Sequence, residues 1–398
     1  MDICIADNIR FVGVDDTDID LFEAQYPVPK GISYNSYLIE DEHIAVVDSV
    51  DIRKVDAWLL NISRALDGRQ PDYLIVQHME PDHSGSVARF LQAYPHASVV
   101  CTAKAASMLP NFFPEMQSAP HMTTVAEGDI LSLGHHSLKF LMAPMVHWPE
   151  VMMTFCPAAG VIFSADAFGT FATSNGGHPI TAPSEEHGWD AEARRYYTNI
   201  VGKFGRSVQM VLRKLSTLPI KVIAPLHGPV IAGDLPHFID LYDKWSSHKP
   251  EAEKGVLVAY ASVYGGTARA ANILADSLRS RGVADVVVMD LNRTHVSEAL
   301  SQAFRLGTVA LCSVTYDGSI FPAMHAFIHH MVEKGLSGRR FALVENGSWA
   351  PTAARHMEAM VSPLPGAELI LPAVTIHSRP DHKAVSDLEA LAAKIANN

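Results

Sequence analysis

The chain is 398 residues long, 48% hydrophobic and 19% charged, enough apolar material for two domains with full cores and too much for a disordered chain. Its net charge of −12 opposes binding to the phosphate backbone of nucleic acid, and no apolar run reaches the ~18 residues of a membrane-spanning helix. The N-terminus, MDICIADNIRF, carries an acid where a signal peptide needs a basic stretch, so a cytoplasmic protein is expected. Cys4, Cys101, Cys156 and Cys312 stand singly, which fits a reducing compartment and argues against thiolate zinc sites and cysteine-ligated iron–sulfur clusters.

In chain order, ISYNSYLIEDEHIAVVDSV (32–50) alternates like an antiparallel strand pair. DYLIVQ then runs into His78, and HSGSVARFLQAY (83–94) has a helical pattern. Three more strand-like runs end at metal-capable residues: LKFLMAPMV at His147, GVIFSA at Asp166 and IKVIAPL at His227. Strands mixed with helices in this way predict a mixed-sheet α/β domain, helices outside, over residues 1–250. The polar stretch HKPEAEKG (248–255) reads as a linker.

Beyond the linker, GVLVAYAS (255–262), ADVVVMDL (284–291), TVALCSVT (308–315), RFALVEN (340–346) and ELILPAVTI (368–376) are short, Val/Leu-rich and strand-like. Helix-length stretches such as 267–282 and 321–335 lie between them. Five strands, each followed by a helix, predict a parallel sheet covered on both faces over residues 255–398. Charge divides at the same place. From Gly255 onward 12 Lys and Arg balance 12 Asp and Glu, so the first 254 residues, with 19 against 31, carry the whole negative charge. That asymmetry suits two domains of separate origin.

HMEPDHSG (78–85) crowds His78, Glu80, Asp82 and His83 into six positions. Carboxylates this close repel one another unless a cation lies among them. Loops after strand ends are where α/β proteins assemble their sites, and strands ending side by side would add His147, Asp166 and His227. Four imidazoles and three carboxylates suffice for two metals sharing a bridging ligand. A lone His or Asp after a strand is more often a cap or surface residue; here the cluster and the coincident strand ends point to metal. His121, His135, His136, His329 and His330 read as surface or satisfied core residues.

In the second half, the first strand runs into YASVYGGTARA (260–270). Ser262, Val263, Tyr264, Gly265, Gly266 and Thr267 form a turn of mostly small residues at a helix N-terminus, where backbone N–H groups and hydroxyls can cradle a phosphate. No lysine follows Gly266 and the turn is not GxGxxG, which disfavours an ATP-type loop and a dinucleotide. Two further loops follow the third and fourth strands. One is Ser313, Val314, Thr315, Tyr316, Asp317 and Gly318; the other is Asn346, Gly347, Ser348 and Trp349. Tyr316 and Trp349 could flank a flat ring, although each aromatic taken singly is more often simple packing.

These motifs together resemble the flavodiiron proteins, also called A-type flavoproteins. The strand followed by HxExDH, then a distant His, Asp and His, is the metallo-β-lactamase pattern with Glu80 replacing its second histidine. An acid there hardens the ligand set and moves preference from zinc toward iron or manganese. QHMEPDHSGS, MVHWPE, FSADAFG, YYTNI and PLHGPV all look like that family's motifs, and the three loops are similar to the FMN site of flavodoxin. The third loop departs from the family, with ENGSWAPT where many relatives carry GSxGWSG.

The resemblance implies a metallo-β-lactamase-like αββα sandwich followed by a flavodoxin-like, doubly wound five-stranded parallel sheet. It implies FMN and two non-haem irons. His78, Glu80 and His147 would hold one iron, Asp82, His83 and His227 the other, and Asp166 would bridge them. Electrons passed through FMN would reduce dioxygen to water or couple nitric oxide into nitrous oxide. Tyr197, in RYYTNI, either donates a hydrogen bond to bound ligand or packs as a core tyrosine. The family also implies a head-to-tail homodimer or a dimer of dimers. Its electron donor would be a separate molecule, rubredoxin-like or a reduced deazaflavin. Two other readings compete: a dizinc hydrolase carrying a flavodoxin docking domain, and a non-catalytic electron-transfer protein.

Overall fold

The computed structural model describes residues 3–114, 121–181 and 188–397. It divides into two compact units. The first runs to Tyr197 and resumes over Arg206–Asp243; the second comprises Thr198–Gly205 and the chain from Lys244 onward.

The first unit is built on two sheets. One has seven strands, in the spatial order Ile3–Ala6, Ile9–Phe11, Tyr37–Ile39, Ala45–Val47, Tyr73–Val76, Ser98–Thr102 and Met122–Val125. The other has five: Ile130–Ser132, Ser137–Met142, Met152–Cys156, Val161–Phe163 and Val222–Ala224. The expected antiparallel pair within 32–50 forms, with Tyr37 opposite Val47 and Ile39 opposite Ala45. Side chains alternate across each strand. Tyr37, Ile39, Ala45, Val47 and Ile75 of the larger sheet therefore meet Phe140, Met152, Cys156 and Phe163 of the smaller in one core. Helices lie outside this pair; Val55–Leu66 buries Val55, Trp58, Ile62 and Leu66, spaced three or four apart on one face. The result is an αββα sandwich.

The second unit has one parallel sheet in the order Val286–Asp290, Ala252–Ala261, Leu306–Tyr316, Arg340–Asn346 and Glu368–Ile376, with a short antiparallel addition at Ser319–Ile320. Numbered along the chain, the five parallel strands read 2-1-3-4-5, the flavodoxin-like arrangement. Alternation again sorts the faces. Val256 and Val258 pack with helices Gly266–Ser280 and His382–Ala396, whereas Leu257, Ala259 and Ala261 pack with Val296–Arg305, Pro322–Glu333 and Ala353–Val361. One expectation is revised. Ala252–Gly255, read from sequence as linker, belong to the first strand, where Ala252 pairs with Leu306 before the register shifts to Val256 opposite Thr308. The exposed Glu253 and Lys254 hid this strand start, which precedes the pairing with Val286–Asp290 at Val256. Among the described residues no helix is long and apolar enough to cross a membrane, and all four cysteines are free thiols.

Candidate functional site

The two sheets of the first unit deliver the clustered residues at their strand ends. His78 follows Tyr73–Val76, His147 follows Ser137–Met142, Asp166 follows Val161–Phe163, and His227 follows Val222–Ala224. Glu80 caps the short helix Pro81–Ser84, on which Asp82 and His83 sit. All seven residues converge, in two groups whose ligand atoms lie within 4.8 Å of one another: His78, Glu80, His147 and Asp166, then Asp82, His83 and His227.

Asp166 faces both groups. Its Oδ2 lies 3.3 Å from His78 Nε2 and 3.1 Å from His147 Nε2; its Oδ1 lies 3.2 Å from His83 Nε2 and 3.6 Å from His227 Nε2. Glu80 closes the first group at 3.2 Å from His78 Nε2 and 3.1 Å from His147 Nε2. Asp82 Oδ2 closes the second, at 3.3 Å from His83 and 3.2 Å from His227.

These spacings fit cation ligation. Donors held about 2.1 Å from one ion and separated by 90–110° lie roughly 3.0–3.4 Å apart. The two Nε2 atoms of His83 and His227, 3.0 Å apart, would otherwise be a pair of ring nitrogens pressed together. Asp82 Oδ1 and Oδ2 and Asp166 Oδ1 are buried acceptors with no hydrogen-bond donor, an arrangement that is costly unless a cation satisfies it.

Electrostatics agree. Burial disfavours charge on the His78 ring, but Asp166, Glu150 and Glu80 outweigh it and raise its pKa well above the usual imidazole range. The same balance puts His147 at about 9, burial being overcome by Asp166 and Glu80. Burial would raise Glu80, yet His147 and His78 hold it at about 2. Asp166 is likewise driven well below the carboxylate range by His83, His147 and His78 against its own desolvation. Glu80 and Asp166 are in the ionised form that ligation requires, and the His78 and His147 rings are drawn to positive charge, which a metal on Nε2 supplies in place of a proton.

A match to known proteins covers both units. The family model described as ODP family beta lactamase matches residues 32–228. Diflavin flavoprotein A 1 of Synechocystis is 34% identical over 300 residues, covering 74% of this chain and 50% of that protein. The anaerobic nitric oxide reductase flavorubredoxin of Escherichia coli is 27% identical over 397 residues, 97% of this chain and 80% of that one. The solved flavodiiron protein of Giardia intestinalis superposes with a TM-score of 0.93 at 25% identity, over 100% of this chain and 96% of that one. The chain belongs to the flavodiiron family. It spans about half the length of the diflavin relative.

The flavodiiron chain carries its second set of expected residues on one edge of the parallel sheet. The three loops follow strands Ala252–Ala261, Leu306–Tyr316 and Arg340–Asn346, which are neighbours in the sheet. The first two flank the point where strand order reverses, the usual ligand crevice of such sheets. Gly265 takes φ +84° with open space where a Cβ would stand, and its N–H is held by Ser262 Oγ at 3.1 Å. Tyr264 is 100% exposed, Trp349 91% and Tyr316 46%. Three large aromatics left in solvent on one sheet edge are unusual unless they bind something flat. A helix N-terminus beneath them suits a phosphate.

Several contributors carry no local sequence signal. Glu150 accepts hydrogen bonds from His78 Nδ1 and Met79 N, both at 2.9 Å. Ser33 O accepts from His227 Nδ1 at 2.7 Å, and Ser33 Oγ from Gly228 N at 2.7 Å. A fourth loop, at Ser378, joins the same sheet edge: Asn346 Nδ2 donates to Ser378 O at 3.0 Å, and Ser378 N donates to Asn346 Oδ1 at 2.9 Å.

Of the two tyrosines in RYYTNI, Tyr196 is the one whose ring stands against a cluster residue. Tyr197 packs edge-on against Tyr242, with ring centroids 5.2 Å apart. Tyr196 turns its ring to His227, centroids 5.5 Å apart, and its buried hydroxyl has no partner among the described residues. One step along a helix rotates a side chain by about 100°, so only one of an adjacent pair can face the metals. Burial, then Asp166 and Asp82, raise the Tyr196 pKa far above the phenol range, which keeps the hydroxyl a donor. We expect Tyr196→Phe to lower turnover about tenfold, the worth of one hydrogen bond, with Tyr197→Phe unchanged; steady-state gas consumption by the two variants checks this.

Proposed function

We propose that this chain is an FMN- and diiron-dependent reductase of dioxygen to water, of nitric oxide to nitrous oxide, or of both. The observation that carries the proposal is Asp166, each of whose two oxygens faces a separate histidine and carboxylate set. His78, Glu80 and His147 would hold one iron, Asp82, His83 and His227 the other, with Asp166 between. The loops at Ser262–Thr267, Ser313–Gly318 and Asn346–Trp349 would hold FMN. When bound, iron supplies one-electron steps and open positions for a diatomic ligand, while FMN accepts electrons in pairs and passes them singly.

The chain's own residues set the rest. An open cavity of about 350 Å³ reaches Glu80 and Asp82 between Phe22, Glu23, Tyr34 and Arg53, wide enough for a diatomic molecule and for water to leave. Phe22, Tyr34 and Tyr196 surround the His227 ring at centroid distances of 5.2, 6.1 and 5.5 Å. This aromatic wall limits water around the second group. The Tyr196 hydroxyl, buried and without a partner among the described residues, would donate to bound ligand. Each dioxygen needs four electrons and four protons to give two waters; two nitric oxides need two of each to give nitrous oxide and one water.

A dizinc hydrolase is disfavoured by Glu80, which puts a hard oxygen where the zinc pattern has nitrogen. The flavorubredoxin of Escherichia coli is named as a nitric oxide reductase. By analogy the electron donor here is proposed to be a separate rubredoxin-like protein or a reduced deazaflavin, the assembly a head-to-tail homodimer or dimer of dimers, and the location cytoplasmic. Iron, zinc and FMN measured together on anaerobically purified protein test the reading. About two irons and one FMN per chain are expected, with dioxygen or nitric oxide consumed once the protein is reduced. Two zincs retained after growth in iron-rich medium, or no gas consumption by the iron-loaded protein, overturn it.

A further inference from the structure

Within the cluster, His78, His227 and His83, all buried, differ in what the Nδ1 nitrogen meets. His78 Nδ1 meets a carboxylate, Glu150 Oε1, at 2.9 Å. His227 Nδ1 meets a neutral carbonyl, Ser33 O, at 2.7 Å. His83 Nδ1 is buried with no partner among the described residues. Glu150 is itself fixed: it is 2% exposed, takes a second bond from Met79 N at 2.9 Å, and its backbone oxygen accepts from Thr102 Oγ1 at 3.1 Å.

To ligate through Nε2, a neutral imidazole must carry its proton on Nδ1. For His78 that proton lands on a waiting carboxylate, which fixes the tautomer and makes Nε2 more basic. For His83 the same proton becomes a buried donor with no acceptor among the described residues, which opposes ligation. The first group therefore contains a ring prepared for metal, and the second contains one that resists it.

We propose that the two metal positions are unequal by design of this outer shell: the His78–Glu80–His147 position takes ferrous iron first, and Glu150 is the positioning residue that makes it so. This rests on reading the cluster as a diiron site. A second-shell partner of a ligating histidine is worth about 10–100-fold in metal affinity, so the two uptake steps should differ by at least about tenfold.

The test is anaerobic titration of metal-free, FMN-loaded protein with ⁵⁷Fe(II) against a competing chelator, read by bound iron and by Mössbauer spectra at one and two equivalents. Expected are two steps, one quadrupole doublet at one equivalent and a second appearing only afterwards. His227→Ala should keep the tight step and His147→Ala should lose it. In Glu150→Gln, whose neutral amide can still accept from Nδ1, the tight step should weaken about tenfold or more while the second stays in place. One unresolved step filling both positions in the native protein overturns the proposal, and so does an unchanged tight step in Glu150→Gln. Should Glu150→Gln not fold, judged by its FMN content and melting, the native titration with the two histidine variants still decides. Saturation at fewer than two irons would instead sink the diiron reading itself.

Discussion

Asp166→Ala is expected to strip the first unit of its metal while the second keeps its flavin. Among the described residues, Asp166 is the one whose two oxygens reach both groups, at 3.1–3.3 Å for three of the four histidines. Removing it takes one carboxylate from each position and leaves the four Nε2 atoms facing Glu80 and Asp82 alone. Loss of an outer-shell partner already costs about 10–100-fold in affinity or activity; loss of a ligand shared by both ions should exceed that. Iron should fall from about two per chain to at most one, and gas turnover should fall by more than about 100-fold, with FMN content unchanged. Asp166→Asn should behave almost as badly, because an amide keeps the shape but lacks the charge that neutralises two cations. Iron analysis and gas consumption on both variants check this. Two retained irons with full turnover in Asp166→Ala would remove the cluster from the mechanism.

How far the sequence could reach follows from which forces leave a local trace. Apolar runs ending at His78, His147, Asp166 and His227 are local, and a strand end fixes where the next side chain points, so the seven-residue cluster was legible. The sheet of the second unit was legible for the same reason, its three central strands each holding a continuous apolar run buried on both faces. What was not legible lies far along the chain. Glu150 sits 72 residues from His78, and Ser33 194 residues from His227. Nothing in MVHWPE distinguishes a carboxylate that braces a ligand from one that meets solvent. Tyr196 and Tyr197 are equally plausible until the helix phase is known, and that phase is set by the packing of Tyr197 on Tyr242. The loop at Ser378 was missed because its role is to present a backbone carbonyl, which any residue has.

That carbonyl makes the flavin edge testable without touching an aromatic. A Cβ built on Gly266 would lie 1.9 Å from Ser378 O and 3.0 Å from Asn346 Nδ2. Both atoms belong to the latch through which Asn346 ties the fourth loop to Thr267, at 3.3 Å. Gly266→Ala must therefore push the Ser378 backbone aside and open the crevice from below. Overpacking of this kind costs about 1–3 kcal/mol, which is roughly 10–100-fold in FMN affinity if the strain falls on the bound form. Gly265→Ala is the control. Gly265 has φ +84° but nothing within 4 Å of its Cβ position, so an alanine there meets only backbone strain of about 1–2 kcal/mol. Gly266→Ala is expected to be isolated largely without FMN, with its iron content intact, and to regain turnover when excess FMN is added. Gly265→Ala should retain most of its flavin. Flavin absorbance after gel filtration, with iron measured on the same fractions, separates the two. Read against Asp166→Ala, the outcome is reciprocal: one variant loses metal and keeps flavin, the other loses flavin and keeps metal, and neither turns over. That pattern is required if electrons enter through the sheet edge and are used at the histidine cluster. Full turnover in FMN-free Gly266→Ala without added flavin would show instead that the metals are reduced directly, and that the second unit serves something other than electron entry.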